Sequence, residues 1–139
     1  TGVLSRRQVN IESISVGATE NPNVSRITII IDVASHDEVE QIIKQLNRQV
    51  DVIRVRDITD KPHLEREVIL IKVSAPAEKR AELLAIIQPF RATVVDVAPS
   101  SITVQMTGNA EKNEALLRVI RPYGIKNVAR TGATGFTRD

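Results

Sequence analysis

One order of strands and helices is written twice in this chain, and that repeat limits the fold more than any other feature. From Arg26 to Val33, the residues Ile27, Ile29, Ile31 and Val33 alternate with Arg26, Thr28, Ile30 and Asp32. A period of two is the mark of a half-buried strand, so 25–33 is predicted as one. Ser35 then stands where an N-cap belongs, Asp37 and Glu38 fall in a first turn, and Val39, Ile42, Ile43 and Leu46 follow at helical spacing. That pattern predicts an amphipathic helix to about Gln49. Residues 51–58 read as a further strand with Ile53 and Val55 on one face, and 11–18 as an earlier one, joined to 25–33 by the turn-forming run Thr19-Glu20-Asn21-Pro22-Asn23.

The second half spells the same order: a strand over 65–74, a helix over 76–89 carrying Leu83, Ile86, Ile87 and Phe90, and strands at 92–98 and 101–107 around Pro99-Ser100. A helix over 109–121 with Leu116, Leu117 and Ile120 inward follows, then a last strand over 125–131. The register recurs, because Ser35 corresponds to Asn109 and Asp51 to Ile125, each pair 74 positions apart. The expected fold is α+β, two tandem ferredoxin-like β-α-β-β-α-β units over 1–59 and 60–139, linked through the polar stretch 57–64 containing Lys61-Pro62. The first unit is short. Only Ser5, Arg6, Arg7 and Gln8 lie between Leu4 and Val9, whereas a crossover between parallel strands takes roughly a dozen residues or more. Its first strand and most of its first helix are therefore expected to be lacking, and Thr1 in place of Met suggests a processed or incomplete start.

Composition supports sheet and narrows function. Seventeen Ile and seventeen Val stand beside three aromatics, Phe90, Tyr123 and Phe136, so the core must be built from β-branched aliphatics. The strands 25–33 and 101–107 contain no aromatic residue, which argues against base stacking of the kind ferredoxin-like RNA binders use. Net charge is +2, with 19 basic residues dispersed among 17 acidic ones, so no nucleic-acid partner is expected. No apolar run reaches the ~20 residues of a membrane span, and nothing at the start reads as a signal peptide. The absence of Cys removes disulfides, thiolate metal sites and a Cys nucleophile, and favours a cytoplasmic setting.

Few residues point to chemistry. His36 and His63 have no second His or Cys at ligand spacing and read as solvent-exposed polar residues; Asp37, Glu38 and Glu40 are explained by a helix amino end. Arg54 and Arg56 read as the wet face of an edge strand. The Gly132-Ala133-Thr134-Gly135 segment has no helix after it to assist phosphate binding, and reads as a mobile tail or a partner-docking segment. Val68 and Leu70 lie opposite the face of Ile69, Ile71 and Val73, and are expected to be covered in part by a partner. Gly2-Val3-Leu4 differs from these, since a Gly before an apolar pair at a helix entry lets backbone amides approach a carboxylate. Asn10, opening the run Asn10-Ile11-Glu12-Ser13-Ile14, carries an amide able both to donate and to accept, as an amino acid's two charged ends require; a turn-forming Asn before a strand is the plainer alternative.

Several segments in order resemble the regulatory (small) subunit of acetohydroxyacid synthase, also called acetolactate synthase. They are Gly2-Val3-Leu4, Ser5-Arg6-Arg7, Asn10-Ile11-Glu12-Ser13-Ile14-Ser15-Val16, Ser25-Arg26-Ile27-Thr28, Val50-Asp51-Val52-Ile53-Arg54-Val55, Glu65-Arg66-Glu67, Phe90-Arg91-Ala92, Val95-Asp96-Val97 and Ala129-Arg130-Thr131-Gly132. The resemblance implies an ACT domain followed by an ACT-like domain, and a non-catalytic role. The subunit would bind and activate the large thiamine-diphosphate-dependent catalytic subunit, to which FAD and Mg also belong, with no cofactor of its own. It would dimerise through its ACT domains and confer feedback inhibition by a branched-chain amino acid, most often valine. Carried over residue by residue, the effector contacts fall on Gly2, Val3 and Leu4 for the carboxylate, and on Asn10 and Ile11 for the polar group and the aliphatic side chain. A stand-alone amino-acid sensor is the alternative, with a nucleic-acid-binding module third. The chain also departs from the family: the strand before Gly2 is absent, a short segment between Leu4 and Ser5 is missing, and Gln8-Val9 replaces a Gly followed by an aromatic.

Overall fold

A computed structural model describes residues 10–138. The chain divides into two compact units, Thr1–Leu64 with Gly135–Asp139, and Glu65–Thr134.

In the second unit the apolar alternation of one strand sets the plan. Strand β3 (His63–Ser74) turns Ile69, Ile71 and Val73 to one side, all fully buried, and leaves Leu70 39% exposed on the other. Helix α2 (Arg80–Ile87) contributes Leu83 and Ile87 to the same core, with single 3₁₀ turns on either side at Ala77–Lys79 and Gln88–Phe90. Strands β4 (Thr93–Val97) and β5 (Ser101–Gly108) form a hairpin closed by the Ala98 N–H donating to the Ser101 carbonyl at 2.8 Å. Helix α3 (Ala110–Ile120) adds Leu116, Leu117 and Ile120, and β6 (Ile125–Arg130) closes the order.

The sheet runs β4-β5-β3-β6 with every neighbour antiparallel, so β5 lies between the parallel β3 and β4 that α2 connects. This is the split βαβ arrangement expected for 65–131. Arg80 fastens it, its Nε donating to the Ala75 carbonyl at 2.8 Å and its Nη2 to the Ala98 carbonyl. Gly124, at φ 100°, makes the entry to β6, and its carbonyl accepts from the Ser74 amide at 2.8 Å. Only glycine takes that backbone conformation without strain.

The first unit has fewer parts. Strands β1 (Asn10–Ala18) and β2 (Ser25–Asp32) form a hairpin through the 19–23 turn, where Thr19 Oγ1 donates and Asn21 Oδ1 caps the Asn23 amide. Helix α1 (His36–Asn47) is capped by Ser35 Oγ, which accepts from the Glu38 amide, while Glu38 Oε2 accepts from the Ala34 amide. Glu38 thus reaches back past the cap, and both Asp37 and Glu38 suit the positive end of the helix dipole. Together the two units are the tandem ferredoxin-like plan, with two departures from the expected elements.

The strand anticipated at 51–58 does not form, and Ile53 is 80% exposed there. In the second unit the last strand of the split βαβ pairs with the first, whereas among the described residues no strand pairs with 51–58. Arg54 and Arg56 are thus on a non-strand segment. The tail is the second departure. Rather than a mobile end, 134–137 is strand β7 (Thr134–Thr137), which pairs with β3. Thr131 leads into it by exchanging bonds with Val68 in both directions at 3.0 Å, and the Arg138 amide donates to the Pro62 carbonyl at 2.8 Å. The strand 63–74 accordingly starts two residues earlier than the alternation predicted. Among the described residues no helix is long and apolar enough to cross a membrane.

The 3₁₀ turn Arg121–Tyr123 gives a measurable consequence. Tyr123 Oη donates to Glu82 Oε1 at 2.7 Å, and this bond, followed by desolvation and the carboxylate's charge, raises the phenol's pKa above its ordinary value near 10. A raised folded pKa stabilises below the unfolded value and is lost as pH rises through the folded one. Tyr123 is the chain's single tyrosine. An ultraviolet titration of phenolate absorbance should therefore show one midpoint above 10 that falls back toward about 10 in Glu82→Ala.

Candidate functional site

Of the residues singled out for ligand contact, Gly2, Val3 and Leu4 lie outside the described residues. Asn10 and Ile11 open β1. Asn10 is exposed and stands opposite Asp32 across the ladder; Ile11 is half-buried opposite Ile31. Between Ile11 and Ser13 the register shifts, a β-bulge at Glu12. Bulges re-aim side chains at strand ends, and here the bulge follows the two candidate contacts directly. Beyond it, Ile14 faces Ile29 and Val16 faces Ile27, giving the hairpin an aliphatic face on which Val16 is 67% exposed. Asn10, paired with Asp32, lies on the polar face of the hairpin, and Ile11, paired with Ile31, opens the aliphatic face, so the strand's head carries one residue of each kind on opposite faces.

The remaining candidates have structural explanations. His63 Nδ1 lies 2.8 Å from the Lys61 carbonyl, to which its ring N–H donates. His36 is exposed at the start of α1. No cluster of three or more His, Cys, Asp or Glu able to hold a metal occurs among the described residues.

Two groups of residues escaped the sequence reading. Within the first unit, Arg26 on β2 donates through Nη1 to the Gly135 carbonyl at 3.3 Å, and its guanidinium sits 5.7 Å from the Phe136 ring centroid. The distance suits a cation–π contact, so the tail is held to the hairpin by one side chain. Nothing in local sequence joins residues more than a hundred positions apart.

Within the second unit, Glu67 is a buried carboxylate on β3. Asn113, fully buried on α3, donates through Nδ2 to Glu67 Oε1 at 3.1 Å and to the Glu67 carbonyl at 3.3 Å, leaving its Oδ1 without a partner among the described residues. Arg130 on β6 completes the set, bonding Glu67 Oε1 through Nη2 and Glu114 Oε1 through Nη1 at 2.6 Å. The bond to Glu114 is the main cause of a guanidinium pKa above the ordinary Arg value; burial opposes it, and the bond to Glu67 adds to it. A signal for this network was available, since Asn113 precedes Leu116 and Leu117 on the helix's apolar stripe, where a polar residue needs a buried partner.

Comparison with known proteins decides the family. The description "Small subunit of acetolactate synthase" matches residues 66–139, and "AHAS small subunit-like ACT domain" matches residues 1–54. The chain belongs to the acetolactate synthase small-subunit family. It is 52% identical over 138 residues to the acetolactate synthase small subunit of Bacillus subtilis, covering 99% of this chain and 80% of that one. With the Lactococcus lactis small subunit it shares 59% over 138 residues, 99% and 87% of the two chains. The crystal structure of the acetolactate synthase small subunit from Thermotoga maritima superposes with a TM-score of 0.88 at 32% identity, over 99% of this chain and 86% of that one. The small-subunit family and its ACT domain are thus those that the Asn10–Val16 and Glu65–Glu67 runs resembled.

The charge network has an energetic consequence. Arg130→Met would leave the Glu67 carboxylate buried with only Asn113 beside it, and should cost about 2–3 kcal/mol in urea unfolding. Glu114→Gln, at a half-exposed partner, should cost less than about 1 kcal/mol.

Proposed function

We propose that this chain is the regulatory subunit of an acetolactate synthase, which activates a thiamine-diphosphate-dependent catalytic subunit and makes it subject to feedback inhibition by valine, in branched-chain amino-acid biosynthesis. The observation that carries this reading is the match to small-subunit relatives over nearly the whole chain at up to 59% identity. Asn10 and Ile11 support it chemically, as an exposed amide and an aliphatic side chain at the head of one strand. In this reading the protein works in the cytoplasm without a cofactor or catalytic residues of its own, and valine binds between the ACT domains of a homodimer. Gly2, Val3 and Leu4 supply backbone contacts to the carboxylate. Bound valine biases one arrangement of the paired units, and the large subunit reads that bias as a coupling of about 1–3 kcal/mol, roughly a 5- to 150-fold change.

Calorimetric titration with valine, leucine and isoleucine tests the sensing half without the catalytic partner. Valine should bind in the micromolar to millimolar range, about −8 to −4 kcal/mol, and Asn10→Ala should weaken it at least about tenfold. The same preparations mixed with the large subunit should raise its turnover and render it valine-sensitive. A chain that binds valine yet neither binds nor stimulates a large subunit would be a stand-alone sensor.

A further inference from the structure

The carboxy-terminal unit holds a cavity away from Asn10 in the chain and lined by different chemistry. Where the 3₁₀ turn Gln88–Phe90 ends, Arg91 takes a left-handed conformation at φ 59°, ψ 30°, its amide donating to the Gln88 carbonyl at 2.9 Å. It is the one non-glycine residue at positive φ among the described residues. Glycine would hold that turn at lower cost, so a long cationic side chain here runs against the local preference of the backbone.

Beside this turn opens a cavity of about 520 Å³ lined by Pro89, Phe90, Arg91, Met106 and Lys112. Its size falls within the ordinary range of small-molecule sites. Three of the five lining residues are apolar and two are cationic; none is acidic. Met106 comes up from β5, and Lys112 from the first turn of α3, where its backbone amide is already taken by Asn109 Oδ1 at 2.9 Å. Recognition of an anion therefore falls to the side chains of Arg91 and Lys112, two exposed cations among the five residues that line the cavity, with no carboxylate among them.

We propose that this cavity binds a carboxylate with an aliphatic body, its head between Arg91 and Lys112 and its body against Phe90, Pro89 and Met106. No lining side chain is a carboxylate, and the two cations disfavour a ligand's ammonium group, which sets the cavity apart from an amino-acid site. The apolar walls set it apart from a bare phosphate site. The site is independent of the valine reading, and its failure would leave that reading untouched.

Met106 is the only methionine in the chain, so a ¹³C-methyl-methionine label gives a single resonance at the cavity wall. Hexanoate, titrated into the full-length protein, should shift that resonance along a saturable curve, and Arg91→Gln and Lys112→Gln should each weaken the binding at least tenfold. Arg91→Gly removes the charge while suiting the backbone. It should keep the melting temperature at or above that of the parent while losing the response, which a purely structural role for Arg91 would not produce. Hexanol and inorganic phosphate should give no saturable shift. A linear response to hexanoate, an equal response to hexanol, saturable binding of phosphate alone, or hexanoate affinity unchanged in both charge variants would overturn the proposal.

Discussion

Everything in the carboxy-terminal unit depends on the alternation of strand β3. Ile69, Ile71 and Val73 are fully buried, and the strand that carries them is laddered to β5 on one side and β6 on the other. Each such side chain contributes about 1.5–3 kcal/mol on leaving water, and none of the three can be moved without breaking two ladders. The helices follow from this: α2 brings Leu83 and Ile87, and α3 brings Leu116, Leu117 and Ile120, onto the face that β3 defines. Even the buried Glu67, with its Asn113 and Arg130 partners, is set by the same period-two pattern two residues before Ile69.

The described residues of the amino-terminal unit show no comparable core. Among the described residues, Ile42 is its one buried hydrophobic side chain, while Ile14, Val16 and Ile27 on the hairpin are exposed. A hairpin with an open aliphatic face is marginal by itself, and low local stability is where ligand-linked ordering has most effect. The proposed division of labour follows: a well-packed unit provides a rigid base, and a poorly packed one, carrying Asn10 and Ile11, responds to an effector.

Legibility in the sequence tracked how local the deciding physics was. Ser35 was readable as a helix cap because capping involves residues three apart, and Asn109, matched to it by the repeat as the start of the second helix, caps in the same way, its Oδ1 accepting from the Lys112 amide. The inward positions of Leu83, Ile87, Leu116, Leu117 and Ile120 followed from helical spacing alone. The strand expected at 51–58 failed because a strand needs a neighbour as well as a pattern, and its alternation of Ile53 with Arg54 and Arg56 carries no information about that neighbour. The tail was misjudged for the same reason: Gly132 to Gly135 read as a mobile tail or a partner-docking segment, whereas the pairing of β7 with β3 and the contact of Arg26 with Phe136 arise from residues distant in sequence. At the candidate site, Asn10 and Ile11 were found at the head of a strand as expected, but the bulge at Glu12 that follows them has no signature in the residues themselves.

The asymmetry between the two units is most directly tested by native-state hydrogen exchange. Amides of β3 and β5 between Ile69 and Val73 and between Ile102 and Met106 should exchange only through global unfolding, and those of the β1–β2 hairpin about a hundredfold faster or more. Protection of the hairpin equal to that of β3, in the absence of any ligand, would contradict a rigid base coupled to a responsive half.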